Sequence, residues 1–182
     1  MAVLTLPDGS KRTVSNDISY LDVAASIGAG LARAALAVKV NGEIYDLEKK
    51  VDTDAQIEFF TGESEEGLEV LRHSSAHVLA MAVQRIWPGT KVTIGPVIKD
   101  GFFYDFEFPA GTKVSEKDFP EIEKAMTSIV KEKHKVLRQE LSKDEALSMF
   151  SKMGEDYKLE LISGFDPKDP ISIYKMGDWF DL

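Results

Sequence analysis

The sequence predicts an α+β protein of two domains, and three observations lead there. Roughly the first sixty residues alternate short apolar runs with tight turns around a single short helical pattern. A polar, turn-rich stretch, Thr61-Gly62-Glu63-Ser64-Glu65-Glu66, then interrupts the chain. Beyond it a long helical pattern is followed by strands and further helices in mixed order. The length of 182 residues exceeds the ~100–150 of the commonest single domain, and 43% hydrophobic with 29% charged residues fits a chain that packs a core. The boundary is placed so that residues 1–62 form one domain and 63–182 the other.

In the first domain, residues 2–6 and 11–14 flank a Pro7-Asp8-Gly9-Ser10 turn and read as a β-hairpin. Ser19-Tyr20-Leu21-Asp22 is a capping signal, and Leu21, Ala24, Ala25 and Ile27 give a short apolar helix face that Gly28 ends. Residues 37–40 and 43–47 surround Asn41-Gly42, a dipeptide favoured in two-residue hairpins, and residues 57–60 form a last strand. Two strands, a helix and three strands predict a mixed sheet with one helix across it, a β-grasp, ubiquitin-like module. It holds no His and no convergent catalytic set, so it reads as a binding or docking domain.

In the second domain the helix opens with Glu65 and Glu66, which suit its positive end, and closes at Pro88-Gly89. Residues 91–94, 97–98 and 102–108 read as strands. Alternation sets Phe102, Tyr104, Phe106 and Phe108 on one face, most simply a core face, within which Tyr104 is kept as a candidate substrate contact. Ser115-Glu116-Lys117-Asp118 starts a helix with Ile122, Met126, Ile129 and Val130 as its apolar face. A strand over 136–141 leads to the capping box Ser142-Lys143-Asp144-Glu145 and a helix that Gly154 ends. Residues 171–175 and 179–182, joined at Met176-Gly177-Asp178, close the chain.

Charge and cysteine content exclude several classes. A formal net charge of −9 argues against a broad basic surface for nucleic acid, and local patches would have to serve. The basic cluster Lys131, Lys133, Lys135 and Arg138 is the one candidate, with a solvated face as the plainer reading. No cysteine means no disulfide or thiolate chemistry and leaves any metal to His and carboxylates. Neither a secretory start nor a run of ~18 apolar residues occurs, so a cytoplasmic protein without a membrane span is expected.

The chemistry concentrates on His73-Ser74-Ser75-Ala76-His77. At roughly 100° per residue, Leu68, Leu71, Ser75, Val78, Leu79, Ala82 and Ile86 gather on one side of the long helix, and the two histidines fall nearly opposite. Spacing of four places the imidazoles one above the other, with Cβ atoms ~5–6 Å apart. Three readings stay open: an incidental or structural pair, two metal ligands, or acid/base and water-positioning groups. Ser74 occupies the slot where zinc proteases carry a glutamate, which disfavours that chemistry, and a metal would need a third ligand such as His134. Imidazole suits acid/base work near neutral pH.

Five segments in order, LPDGS, RHSSAHVLAMAVQRIWP, IGPVIKDGFFYDFEF, EDYKLELI and GDWFDL, span essentially the whole chain and resemble the N-terminal half of bacterial-type threonyl-tRNA synthetases. The resemblance implies that the first domain is a TGS module. The second would be a tRNA-editing domain that hydrolyses serine wrongly esterified to threonine tRNA. Serine and threonine differ by one methyl group, worth only ~1–3 kcal/mol in a pocket, so a synthetic site alone discriminates poorly. By motif, His73 and His77 match the family's paired editing histidines, Lys158 its lysine and Asp181 its aspartate, while Tyr174 aligns with a tyrosine of the same pocket. Without the resemblance, Lys158 and Asp181 would read as ordinary surface charges.

The same resemblance implies the acceptor end of threonine tRNA as partner and no cofactor or metal for these residues. ATP with magnesium, a zinc and homodimerisation belong to the family's catalytic domain. In the family the Asp-Leu ending is followed at once by a Cys and soon by a His that complete the editing site. The expectation is therefore a fragment, in preference to a naturally or deliberately shortened form, whose editing domain is incomplete and which does not aminoacylate by itself. Two other readings are a non-catalytic tRNA-binding or docking module and a relative of the alanyl-tRNA editing group.

Overall fold

The structure is a computed structural model describing residues 1–182. It divides into two compact units, Met1–Arg72 and His73–Leu182, and the division falls within one helix. No helix is long and apolar enough to cross a membrane.

In the first unit, β1 (Ala2–Thr5) and β2 (Lys11–Val14) form the expected hairpin. Helix α1 (Tyr20–Ile27) starts on a complete Ser19/Asp22 capping box and ends at Gly28. A second short helix, α2 (Ala29–Ala34), follows at once, an element hidden by the two glycines that frame its start. Strands β3 (Ala35–Val40) and β4 (Glu43–Tyr45) turn at Asn41 and Gly42, both at positive φ, and β5 (Ala55–Thr61) completes the sheet. The strand order is β2-β1-β5-β3-β4, with β1 and β5 parallel at the centre and every other pair antiparallel. Leu4, Tyr20, Val23, Val38, Val51 and Ile57 are buried between sheet and helix, which is the ubiquitin-like arrangement the element order predicts.

Helix α3 (Glu65–Ile86) contains the division between the units. After it come two short antiparallel pairs, β6 (Lys91–Val92) with β9 (Phe106–Glu107), and β7 (Val97–Ile98) with β8 (Gly101–Phe102). The expected strand over 102–108 is thus broken at residues 103–105. Opposite the break stand Gly95 and Pro96, and a proline has no N–H with which to continue a ladder. The alternation survives the break: Tyr104, Phe106 and Phe108 are half-buried while Phe103, Asp105 and Glu107 are exposed.

Helix α4 (Phe119–Glu132) buries Ile129 and half-buries Ile122, Ala125 and Met126. Val130, expected on that face, is 64% exposed, because it lies at the edge of the arc and Ala125 takes its place. Strand β10 (Val136–Leu141) precedes α5 (Lys143–Met153), which begins on the Ser142/Glu145 capping box and ends at a left-handed Gly154. Helix α6 (Asp156–Ser163) is an addition to the sequence reading. Strands β11 (Ile171–Met176) and β12 (Trp179–Asp181) close the unit in an antiparallel sheet of order β10-β11-β12.

Opposed residues of an antiparallel pair point to the same face, so register decides what each face carries. Tyr174 stands opposite Asp181 and Met176 opposite Trp179. Met176 and Trp179 pack with Met81, Ala82 and Ile129 of α3 and α4. Ile171 and Ile173, on the other face, pack with Ala146, Phe150 and Ile162 of α5 and α6. The sheet is therefore a middle layer, and Tyr174 and Asp181 are delivered to its α3 side.

Candidate functional site

The helix face that carries the histidines differs from expectation. Ala76, His77, Ala80, Met81 and Val83 are buried, whereas Leu71, assigned to the core stripe, is 44% exposed. The buried arc of the second unit is centred on the histidine side of α3. Ala76 and Ala80 count little on a hydrophobicity scale, yet their small side chains leave space for large rings to approach. Tyr174 and Trp179 lie against His77, each with its ring centroid 5.7 Å from that of the imidazole. His73, one turn earlier, is exposed and meets His77 edge to face at 4.5 Å and Tyr174 at 5.8 Å.

Asp181 is the centre of the arrangement. It is 1% exposed, and burying a carboxylate is tolerated only where donors surround it. The Lys158 Nζ donates to Oδ1 at 2.5 Å, the Tyr104 hydroxyl to Oδ2 at 2.6 Å, and the backbone N–H of Leu182 to Oδ1 at 2.9 Å. His77 Nε2 lies 3.5 Å from Oδ2, at the outer limit of a hydrogen bond. Lys158 is also buried, in the first turn of α6, where the helix dipole disfavours a cation. Asp181 supplies the compensating charge. The two charges expected on the surface from sequence alone are thus a buried pair.

These surroundings set protonation. Burial drives the His77 pKa down to about 4, with His73 and Lys158 acting in the same direction and Asp181 opposing them, so this imidazole is neutral at physiological pH. Burial, and then the charge of Asp181, push the Tyr104 phenol well above its ordinary value, so it remains a donor.

Tyr104 is placed by close packing. Its ring stacks on Phe106 at 4.9 Å and 14°, and a Cβ added at Gly95 would lie 2.4 Å from it. Gly95 is therefore the space into which the ring fits. His73, His77, Tyr104, Lys158, Tyr174 and Asp181, named from sequence, all converge within the second unit. No group of three or more His, Cys, Asp or Glu side chains is arranged to hold a metal ion. His134 instead pairs with Glu132 at 2.7 Å.

Sequence reading assigned no role to three participants. Gln84 accepts a hydrogen bond from the Trp179 indole at 2.7 Å and donates to Glu155 at 2.8 Å, and Glu155 is buried directly before α6. Position 84 lies seven residues, about two turns, beyond His77, a spacing that puts it on the same face and was the available signal.

Comparison with known proteins matches residues 1–61 to the TGS domain family. The whole chain is 49% identical to the threonine--tRNA ligase of Hahella chejuensis, and 47% identical to those of Acidithiobacillus ferrooxidans and Hyphomonas neptunium. In each case the match covers 100% of this chain and 28% of the relative. The chain thus spans little more than a quarter of the length of these relatives. With a TGS domain at its start and similarity along its full length, the chain resembles the N-terminal part of threonine--tRNA ligases.

Proposed function

We propose that residues 73–182 bind the serylated 3′ end of threonine tRNA and hydrolyse its ester, with the TGS unit as a docking module. The observation that carries this reading is the buried Asp181, which gathers Lys158, Tyr104 and a neutral His77 beside the exposed imidazole of His73. A water oxygen attacks the ester carbonyl carbon, and negative charge collects on the carbonyl oxygen. The bond to the ribose oxygen then breaks, that oxygen takes up a proton, and serine leaves with a free carboxyl group. His73 orients the ribose end or the water. Lys158, fixed by Asp181, supplies positive charge that needs no reorganisation as the oxyanion forms. His77 serves as an uncharged hydrogen-bonding group.

Aminoacylation with ATP and magnesium, a zinc site and dimerisation are assigned in this proposal to the parts of the ligase beyond the 28% that the chain spans, and the setting is the cytoplasm. A non-hydrolysable 3′-amino analogue of seryl-adenosine tests the binding step. Saturable shifts of the His73 and His77 imidazole resonances are expected. Shifts confined to residues of the TGS unit would favour a docking module, and hydrolysis of seryl-alanine-tRNA in preference to seryl-threonine-tRNA would favour an alanyl-type editing relative.

A further inference from the structure

Gln84 stands between the elements that carry the candidate site, and every polar atom of its amide is engaged. Its Oε1 accepts from the Trp179 indole at 2.7 Å. Its Nε2 donates to the carbonyl of Thr90 at 2.9 Å and to Glu155 Oε1 at 2.8 Å. An indole nitrogen can only donate, so the amide orientation is fixed by chemistry. Glu155 is buried, and its second oxygen accepts from the backbone N–H of Val92 at 3.3 Å. Its own carbonyl receives the N–H of Lys158 at 3.0 Å and of Leu159 at 3.2 Å, which starts α6. The other end of the chain of contacts is Trp179, whose ring lies against His77 and whose strand carries Asp181 two residues on.

We propose that Gln84 is a positioning residue: its amide holds the Trp179 indole over His77 and ties it to Glu155, so that α3, α6 and β12 present His77, Lys158 and Asp181 in one fixed arrangement. The assignment of a catalytic consequence rests on the hydrolytic reading of the site. The geometry excludes the simpler role of a half-buried polar residue solvated at one end, because the amide bridges three separate segments. Loss of the amide frees the indole to tilt and admits water beside His77. Around that imidazole stand His73 from its own helix, Trp179, Tyr174 and Asp181 from the hairpin and Lys158 from α6, with Tyr104 behind Asp181 as its hydrogen-bond donor. Of the influences on His77, burial is the largest.

The test uses the 182-residue chain as wild type, Gln84→Met, which keeps the approximate shape of the side chain, and Trp179→Phe, which keeps an aromatic ring and removes the indole donor with the second ring. The His77 titration is followed by NMR, and release of serine from seryl-threonine-tRNA is measured alongside. Both variants are expected to retain the fold, to raise the His77 midpoint by roughly one pH unit or more, and to lower kcat by about tenfold with little change in KM. A role limited to general stability would lower the melting temperature and leave the His77 midpoint in place, and that result overturns the proposal. If Gln84→Met does not fold, Trp179→Phe decides by the same criterion. A raised midpoint in a chain whose wild type shows no hydrolysis sustains the positioning role and removes the hydrolytic reading.

Discussion

Replacing Lys158 with methionine removes the cation from a buried pair while nearly preserving its volume. The two side chains are 4% and 2% exposed and the ions are 2.5 Å apart, so water cannot take over when one partner goes. Breaking such a pair typically costs about 3–5 kcal/mol, mainly from the charge left behind. Here Tyr104 and the Leu182 N–H still donate to Asp181, which places the expected loss near the lower end, about 3 kcal/mol. Tyr104→Phe leaves the pair intact and removes one hydrogen bond to a charged acceptor, for about 2 kcal/mol. Adding Asp181→Leu to Lys158→Met should restore much of the loss, because no unpaired charge remains. Both tryptophans, Trp87 and Trp179, lie in the second unit, so urea denaturation followed by tryptophan fluorescence reads that unit directly. A loss below about 1 kcal/mol in Lys158→Met, or one smaller than in Tyr104→Phe, would refute the view that charge compensation holds Asp181 in place.

Two further outcomes follow from the same geometry. Gly95→Ala introduces a Cβ 2.4 Å from the Tyr104 ring, so the ring must move off Asp181; thermal unfolding should report a loss of about 1–3 kcal/mol, and an unchanged transition would contradict the packing. The folded His77 pKa lies below its unfolded value, so the unfolded chain takes up the proton first as pH falls. This contribution is complete above pH 6.5 and is lost on descending to about 4, in total about 3 kcal/mol. His77→Gln should flatten the stability profile across that window, and an identical profile would show that His77 is not the group responsible.

How much of this was legible in the sequence differs from element to element. The capping boxes at Ser19 and Ser142, the Asn41-Gly42 turn and the stop at Gly154 are local signals, and each appears in the structure where local chemistry placed it. The parallel pairing of β1 with β5 is not local, and the order of elements gave no more than a mixed sheet with one helix across it. The histidine pair was visible from spacing and lay off the expected core stripe, but the burial of His77 was not legible, because Ala76 and Ala80 carry little hydrophobic signal and the rings of Tyr174 and Trp179 reach His77 only in the fold. Lys158 and Asp181 are 23 positions apart by their numbers, and each alone resembles a solvated charge. Only the fold makes them partners, and only the family resemblance pointed to them. Gln84, Glu155 and Trp179 were given no role for a related reason: a buried amide network leaves no pattern in sequence until three segments are brought together.

The central claim is that this cluster hydrolyses a seryl ester on threonine tRNA. It is tested most directly by release of serine from seryl-threonine-tRNA, comparing the wild-type chain with His73→Ala, a change at an exposed side chain that leaves the buried Asp181 set intact. Release above the uncatalysed rate in the wild type, abolished in a folded His73→Ala, is the predicted result. Equal release by both proteins would contradict the account.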